Sequence, residues 1–218
     1  MGEKELEKRS YNFEIRAEAG EAGHIITGRP IVYNARTDLG MFDEVIDMGA
    51  LDGADLTDVR FLVNHDISKI PLARSRRNNG NSTMKFSVDA EGLNLDWVKL
   101  DTENNSEARA LYSAVERGDI SGMSFMFSVD EERWDDLESD HPVRHVVRIG
   151  SVVEVSAVTF PAYDATEIYA RGNEVLESAR TALERAREEL RAKPLESGSE
   201  LEVAKAKFNF ISIYNGGH

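Results

Sequence analysis

The stretch SVVEVSAVTFPAY, residues 151–163, constrains the fold of this chain more than any other. Strand alternation puts Ser151, Val153, Val155 and Ala157 on one face and Val152, Glu154, Ser156 and Val158 on the other. Both faces are largely apolar, the pattern of a strand covered on both sides. An isolated carboxylate in such a strand costs several kcal/mol unless it is paired or hydrogen-bonded. Glu154 therefore needs a partner. An ion pair with Arg144 or Arg148 would serve, and so would a functional group.

From Tyr11 to Tyr169 the chain is punctuated like a β-rich domain. Tyr11, Phe13 and Ile15 alternate, and HIITGRPIVYN reads as a second strand or a bent pair around Gly28. VRFLVNHDI and IPLARS follow with a break between them. STMKFSVDAEGLNLDWVKL predicts a hairpin, two alternating runs joined at DAEGL. SEARALYSAVERGD predicts a helix, with Ala108, Leu111, Tyr112 and Val115 on one stripe and Gly118 as its stop. ISGMSFMFSV and VVRIGSVVEVSAV read as strands.

Composition changes at Gly172. Leu176, Ala179, Leu183, Ala186 and Leu190 form a helical stripe, supported by the pairs Glu177/Arg180, Glu184/Arg187 and Glu188/Arg191. That helix either packs on its own domain or binds a partner. LESGSELEVAKAK is polar enough to be flexible, and FNFISIYNGG is apolar for a terminus. The expected parts are a domain over residues 1–172, an amphipathic helix over 173–193 and a flexible tail over 194–218.

With 218 residues the chain can build one sizeable core and an appendage. A formal net charge of -14 argues against nucleic-acid binding, which needs a basic footprint, and suits basic partners. The absence of cysteine removes disulfides, thiolate metal sites and a cysteine nucleophile. MGEKELEKRS has no apolar stretch of the kind a secretory signal needs, and Leu6 stands where a myristoylation motif wants Ser or Thr. No apolar run approaches the ~18 residues of a membrane span. The expectation is a soluble intracellular protein without a membrane partner.

Four places could carry chemistry. Alternation along RFLVNHDIS sets His65 with Phe61, Val63 and Ile67, where a core histidine is the competing interpretation. In GDISGMSFMFSV, Phe125 and Phe127 mark the core side, so Ser124 lies on the opposite face among small residues. Glu154 is the third place. His141 and His145 are at the i,i+4 spacing that holds zinc on a helix, but Pro142 and the following valines argue for loop and strand, and HExxH is absent. Together His65, Ser124 and Glu154 are a base, a nucleophile and a carboxylate on three different strands, the set that nucleophilic acyl transfer requires.

EVIDMGAL, FLVNHD, AEGLNLDWVKLD, ERGDISGMSFMF and VVEVSAVTFPAYDAT occur in the order found in the prohead (capsid maturation) proteases of tailed bacteriophages. The chain resembles that family over about residues 10–170. The family is similar in fold to the herpesvirus assemblins. The implied fold is therefore α+β, a mostly antiparallel β-barrel wrapped by helices, to which composition adds a C-terminal helical appendage. The resemblance implies a serine endopeptidase without cofactor or metal. It would act inside the procapsid in the bacterial host cytoplasm, trimming the major capsid protein or its scaffold segment and commonly itself. Assembly into a homo-oligomer is left open.

Carried over residue by residue, the resemblance makes His65 the base, Ser124 the nucleophile and Glu154 the third member. The herpesvirus enzymes use a second histidine there, for which only His141 and His145 are on offer; Ser121 is the rival nucleophile. Glu154 would accept the N–H of His65 and stabilise the imidazolium formed when Ser124 loses its proton. The alternatives are an inactive scaffold or capsid-associated protein that keeps the fold, and an unrelated peptide-binding barrel, which leaves His65 and Glu154 without a reason.

Overall fold

In a computed structural model that describes residues 5–11, 15–20, 23–77, 80–159 and 174–192, the valine-rich run ends the longest strand. In chain order the described strands are β1 (Glu7–Tyr11), β2 (Ile15–Gly20), β3 (Gly23–Val32), β4 (Arg36–Asp38), β5 (Asp43–Ile46) and β6 (Asp58–Val63). Then come β7 (Ala73–Arg76), β8 (Met84–Asp89), β9 (Gly92–Leu100), helix α1 (Ser106–Glu116), β10 (Gly122–Asp135), β11 (Val143–Val158) and helix α2 (Glu174–Ala192).

The first sheet runs β1-β10-β11-β5-β4, with β6 also on β11 and β7 on β6. β11 is long enough to serve three partners. It is antiparallel to β10 along most of its length, parallel to β5 through Val143–Val146, and parallel to β6 through Glu154–Ala157. The second sheet, β2-β3-β9-β8, is antiparallel throughout. The fold is thus sheet-rich α+β. Among the described residues the ladders form two sheets and do not close into one barrel, and two pairings of the first sheet are parallel.

One core lies between the sheets. Phe61, Phe125, Phe127, Val152 and Val155 of the first sheet meet Ile26, Ile31, Leu93, Leu95 and Val98 of the second. Each such side chain contributes on the order of 1.5–3 kcal/mol when taken fully out of water. α1 adds Ala108, Leu111, Tyr112 and Val115, the stripe its spacing predicts. Its N-cap is Asn105, whose side chain accepts from the Glu107 and Ala108 N–H groups, and Gly118 at φ +79° ends it. HIITGRPIV is a single bent strand whose pairing with β9 shifts on either side of Gly28. Gly92 opens β9 at φ +137°, where a Cβ would stand 2.0 Å from the Ile31 carbonyl oxygen.

Strict alternation fails at one place in β11. Met126 pairs with Glu154 but Phe127 pairs with Val152, so Val153 is the extra residue of a bulge. Val152 consequently joins Val155 and Ala157 in the core instead of sharing a face with Glu154. Likewise the expected alternation of Tyr11, Phe13 and Ile15 does not describe one strand. Tyr11 ends β1 in the first sheet and Ile15 begins β2 in the second, while Phe13 lies outside the described residues.

β1, EKRSY, has no apolar residue before Tyr11, yet it enters the sheet beside β10. Charge holds it there. The Arg9 guanidinium donates to Glu44 at 2.7 and 2.9 Å and to Glu7 at 2.6 Å. Arg144 donates to Glu7 at 2.6 and 2.8 Å, to Glu44 at 2.9 Å and to Glu132 at 2.8 Å. Arg9 and Arg144 are fully buried. Burial alone would pull the Arg9 guanidinium down, but the Glu44 and Glu7 carboxylates outweigh it and hold it above its ordinary value. On the other edge of β1, Ser178 of α2 donates to the Lys8 carbonyl and accepts from the Lys8 N–H, both at 3.4 Å. That contact lies within the compact unit of residues 1–182. Residues 183–218 form a second unit, in whose described part Leu183 and Ala186 are buried.

Removing one member of this cluster strands the others in a dry environment. Arg9→Met is expected to lower stability by about 3–5 kcal/mol, measured by chemical denaturation; an unchanged midpoint would contradict the burial of these charges.

Candidate active site

β10, β11 and β6 lie side by side, roughly 4.8 Å apart from strand to strand. Ser124 on β10 is the register partner of Ser156 on β11, and Glu154 is the partner of Met126 on one side and Arg60 on the other. Because Phe125 and Phe127 fill the core, Ser124 projects from the opposite face, as alternation predicts. That face is covered as well: Ser124 has no exposed surface and Glu154 retains only 3 %.

His65 arrives by a route that alternation does not predict. β6 ends at Val63, and both Asn64 (φ +53°) and His65 (φ +57°) are left-handed. The turn carries the imidazole away from the side of Phe61 and Val63, where alternation sets it, onto the face of Ser124 and Glu154. Such residues cost of order 1–3 kcal/mol each and persist where surrounding bonds compel them. Asn64 N–H donates to the Ala157 carbonyl at 3.0 Å, and Asn64 Nδ2 to Thr159 Oγ1 at 3.0 Å. Thr159 N–H returns a bond to Asn64 Oδ1 at 2.9 Å, and His65 N–H donates to Ser156 Oγ at 3.0 Å.

The three candidate side chains meet. His65 Nδ1 donates to Glu154 Oε2 at 2.6 Å, and His65 Nε2 is in hydrogen-bond contact with Ser124 Oγ. Glu154 Oε1 accepts from Ser156. Arg144 is engaged in the buried cluster and Arg148 with Glu131, so among the described contacts Glu154 is satisfied by the imidazole and the Ser156 hydroxyl and not by either arginine. Half-buried Lys8 feels the same carboxylate: burial lowers its ammonium below the ordinary range, and the Glu154 charge opposes that shift.

Ser121 is exposed, just before β10, and it is Ser124 that the imidazole meets. His141 and His145 are not on a helix. His141 bonds Asp43 at 3.1 Å, and His145, within β11, bonds Asp47 at 2.7 Å. Asp38, Asp43 and His141 could each turn one ligand atom toward a metal ion, and Arg36 donates to the other oxygen of Asp43, Oδ2, at 2.5 Å.

β1 adds groups that sequence reasoning missed. Ser10, the register partner of Ser124, donates to Ser124 Oγ at 2.9 Å, and Ser124 Oγ reaches the Arg9 carbonyl at 2.7 Å. Ser124 has one proton and two acceptors, the Arg9 carbonyl and His65 Nε2. Rotation about its Cβ–Oγ bond would direct the proton to one acceptor or the other. With no apolar periodicity in EKRSY, only its pairing with β10 brings these groups into view.

A cleft of about 310 Å³ beside Glu154 is lined by Arg60, Leu62, Ile67, Lys69 and Met126. A second, of about 430 Å³, runs between the His65 turn and α1. Ile67 and Ile70, 77 % and 83 % exposed, project from the same turn.

A hydroxyl, an imidazole and a carboxylate in hydrogen-bonded series is the arrangement by which serine hydrolases activate a nucleophile. The family model for the caudovirus prohead serine protease matches residues 11–180, and the chain belongs to that serine protease family. No curated protein and no solved structure was found to match it. Glu7 to Ser10, which reach the Ser124 hydroxyl and the buried charges, precede the matched residues.

The bond from His65 to Glu154 predicts an imidazole N–H proton resonance shifted far downfield in the wild-type NMR spectrum and lost in Glu154→Ala. A wild-type spectrum without that resonance would contradict the geometry.

Proposed function

We propose that this chain is the maturation endopeptidase of a phage procapsid, with Ser124 as nucleophile, His65 as general base and acid, and Glu154 as the carboxylate that orients His65. The observation that carries the reading is the unbroken hydrogen-bonded series from hydroxyl to carboxylate formed by Ser124, His65 and Glu154 in a chain of this family.

 In the reaction, His65 Nε2 takes the Ser124 proton as Oγ attacks the scissile carbonyl, and the Glu154 carboxylate stabilises the imidazolium that forms. The imidazolium returns the proton to the leaving amine. Water, deprotonated in the same way, then releases the acyl group and regenerates Ser124. Every step is a proton transfer or an acyl transfer, and the mechanism calls for no metal or cofactor.

The substrate in this reading is the major capsid protein with its scaffold segment, cut inside the procapsid within the host cell. Exposed Ile67 and Ile70 beside the two clefts suit a peptide that lays apolar side chains along the His65 turn. A barrel of herpesvirus-protease type is part of the reading, with the protease domain at residues 1–172, a helical appendage at 173–193 and a tail at 194–218 that the enzyme removes from itself. Neither nucleic acid nor membrane enters as a partner. No helix among the described residues is long and apolar enough to cross a membrane. An inactive scaffold protein is disfavoured, because such a protein has no need to hold an imidazole between a hydroxyl and a carboxylate in a left-handed turn.

Incubation with the capsid protein, read by intact mass, tests the assignment. Ser124→Ala is expected to lose on the order of 10⁴ to 10⁶ in turnover, and Glu154→Gln about 10² to 10⁴. EDTA should leave the rate unchanged. Near-wild-type cleavage by Ser124→Ala together with a dead Ser121→Ala would move the nucleophile to Ser121, and strong EDTA inhibition reversed by zinc would sink the serine mechanism.

A further inference from the structure

We infer that Ser156 is a fourth, positioning member of the site, which aligns Glu154 and His65 with each other through one hydroxyl. The inference rests on the proposed roles of Ser124, His65 and Glu154. Ser156 is fully buried and lies directly across from Ser124 on the neighbouring strand, two residues beyond Glu154 on the same face. Its hydroxyl accepts the His65 backbone N–H at 3.0 Å and donates to Glu154 Oε1.

The directions of these bonds are forced. A backbone N–H only donates and a carboxylate only accepts, so the single Ser156 proton must go to Glu154 while its lone pair takes the His65 N–H. No other rotamer of the O–H satisfies both. The consequences differ at the two ends. At Glu154, the terminal torsion of a glutamate is soft and roughly two-fold, so a carboxylate held at one oxygen alone can swing. Ser156 holds Oε1 while His65 Nδ1 holds Oε2, and the carboxylate plane is fixed. At His65, the bond anchors the backbone of a residue held at φ +57°, and so sets where the imidazole begins.

An alanine at position 156 would leave the His65 N–H and Glu154 Oε1 each short of a partner in a dry site. The imidazole and carboxylate would remain but lose their common reference. Ser156 touches neither the scissile bond nor the transferred proton, so its effect must pass through Glu154 and His65. Outer partners that orient the histidine and carboxylate ligands of metal sites change activity by about 10- to 100-fold, and an effect of that order is expected here.

The rate of labelling by a fluorophosphonate tests this without knowledge of the peptide substrate, because the reagent reports how well Ser124 is activated. Purified full-length Ser156→Ala should show a first-order inactivation constant about 10- to 100-fold below wild type, with the reagent's half-saturating concentration unchanged. Ser156→Thr, which keeps the hydroxyl, should recover most of that loss. In a Glu154→Gln background, Ser156→Ala should cost less than it does alone, because one of the two groups it aligns is already impaired.

A wild-type labelling constant in Ser156→Ala would overturn the inference, as would a loss that adds in full to that of Glu154→Gln. Ser124→Ala serves as the separate control. If it still labels, the nucleophile assignment fails; if it does not label while Ser156→Ala labels normally, only the role of Ser156 fails.

Discussion

A carboxylate buried in the middle of a sheet has to be satisfied, and the bonds from His65 and Ser156 to Glu154 are how this molecule does it. The other parts of the site can be understood from that requirement. Glu154 lies on the strand between β10 and β6, so one neighbour supplies a hydroxyl and the other ends where a histidine can turn back over the sheet. A histidine that merely continued β6 would enter the core with Phe61. The two left-handed residues at Asn64 and His65 prevent this, and bonds to Ala157, Thr159 and Ser156 hold them there. The same strand, β11, thus carries Glu154 and anchors of His65.

A second set of buried charges supports the first at a distance. Arg9 and Arg144 share the carboxylates of Glu7 and Glu44, and through them a polar N-terminal strand is held against β10. Attraction between buried charges gains little over a well-packed apolar core, but breaking one member is costly, so such a cluster locates a strand more than it stabilises the fold. Here it locates Ser10 and the Arg9 carbonyl on the Ser124 hydroxyl. Ser124 is therefore bracketed by polar groups on both neighbouring strands, Ser10 on β1 and Ser156 on β11, and the register of β10 is fixed from both sides.

Much of this was legible in the sequence wherever a regular period held. The stripe and the Gly118 stop of α1, the hairpin of β8 and β9, and the core side of β10 follow from the sequence pattern, and the structure has them. His65, Ser124 and Glu154 could be named as candidates on separate strands. Their contact could not be read, because it depends on breaks in the period. Parity sends His65 to the wrong face, since nothing in NHD announces two consecutive left-handed residues. Parity also groups Val152 with Glu154, since a bulge at Val153 leaves no mark in a run of valines. β1 was invisible for another reason: it is held by charges 35 and 137 residues away, so its burial belongs to the assembled sheet and not to its own pattern. In the sequence Ser156 is one more small residue in a strand, and only its two bonds give it a role.

The central claim is that Ser124 is the hydroxyl this fold activates. Its most direct test is to react the purified protein with a fluorophosphonate, digest it, and locate the adduct by peptide mass spectrometry. A single phosphonylated serine at position 124, absent when His65 is replaced by alanine, is the predicted result. An adduct on Ser121 or Ser10, or labelling of Ser124 that is indifferent to His65, would contradict it.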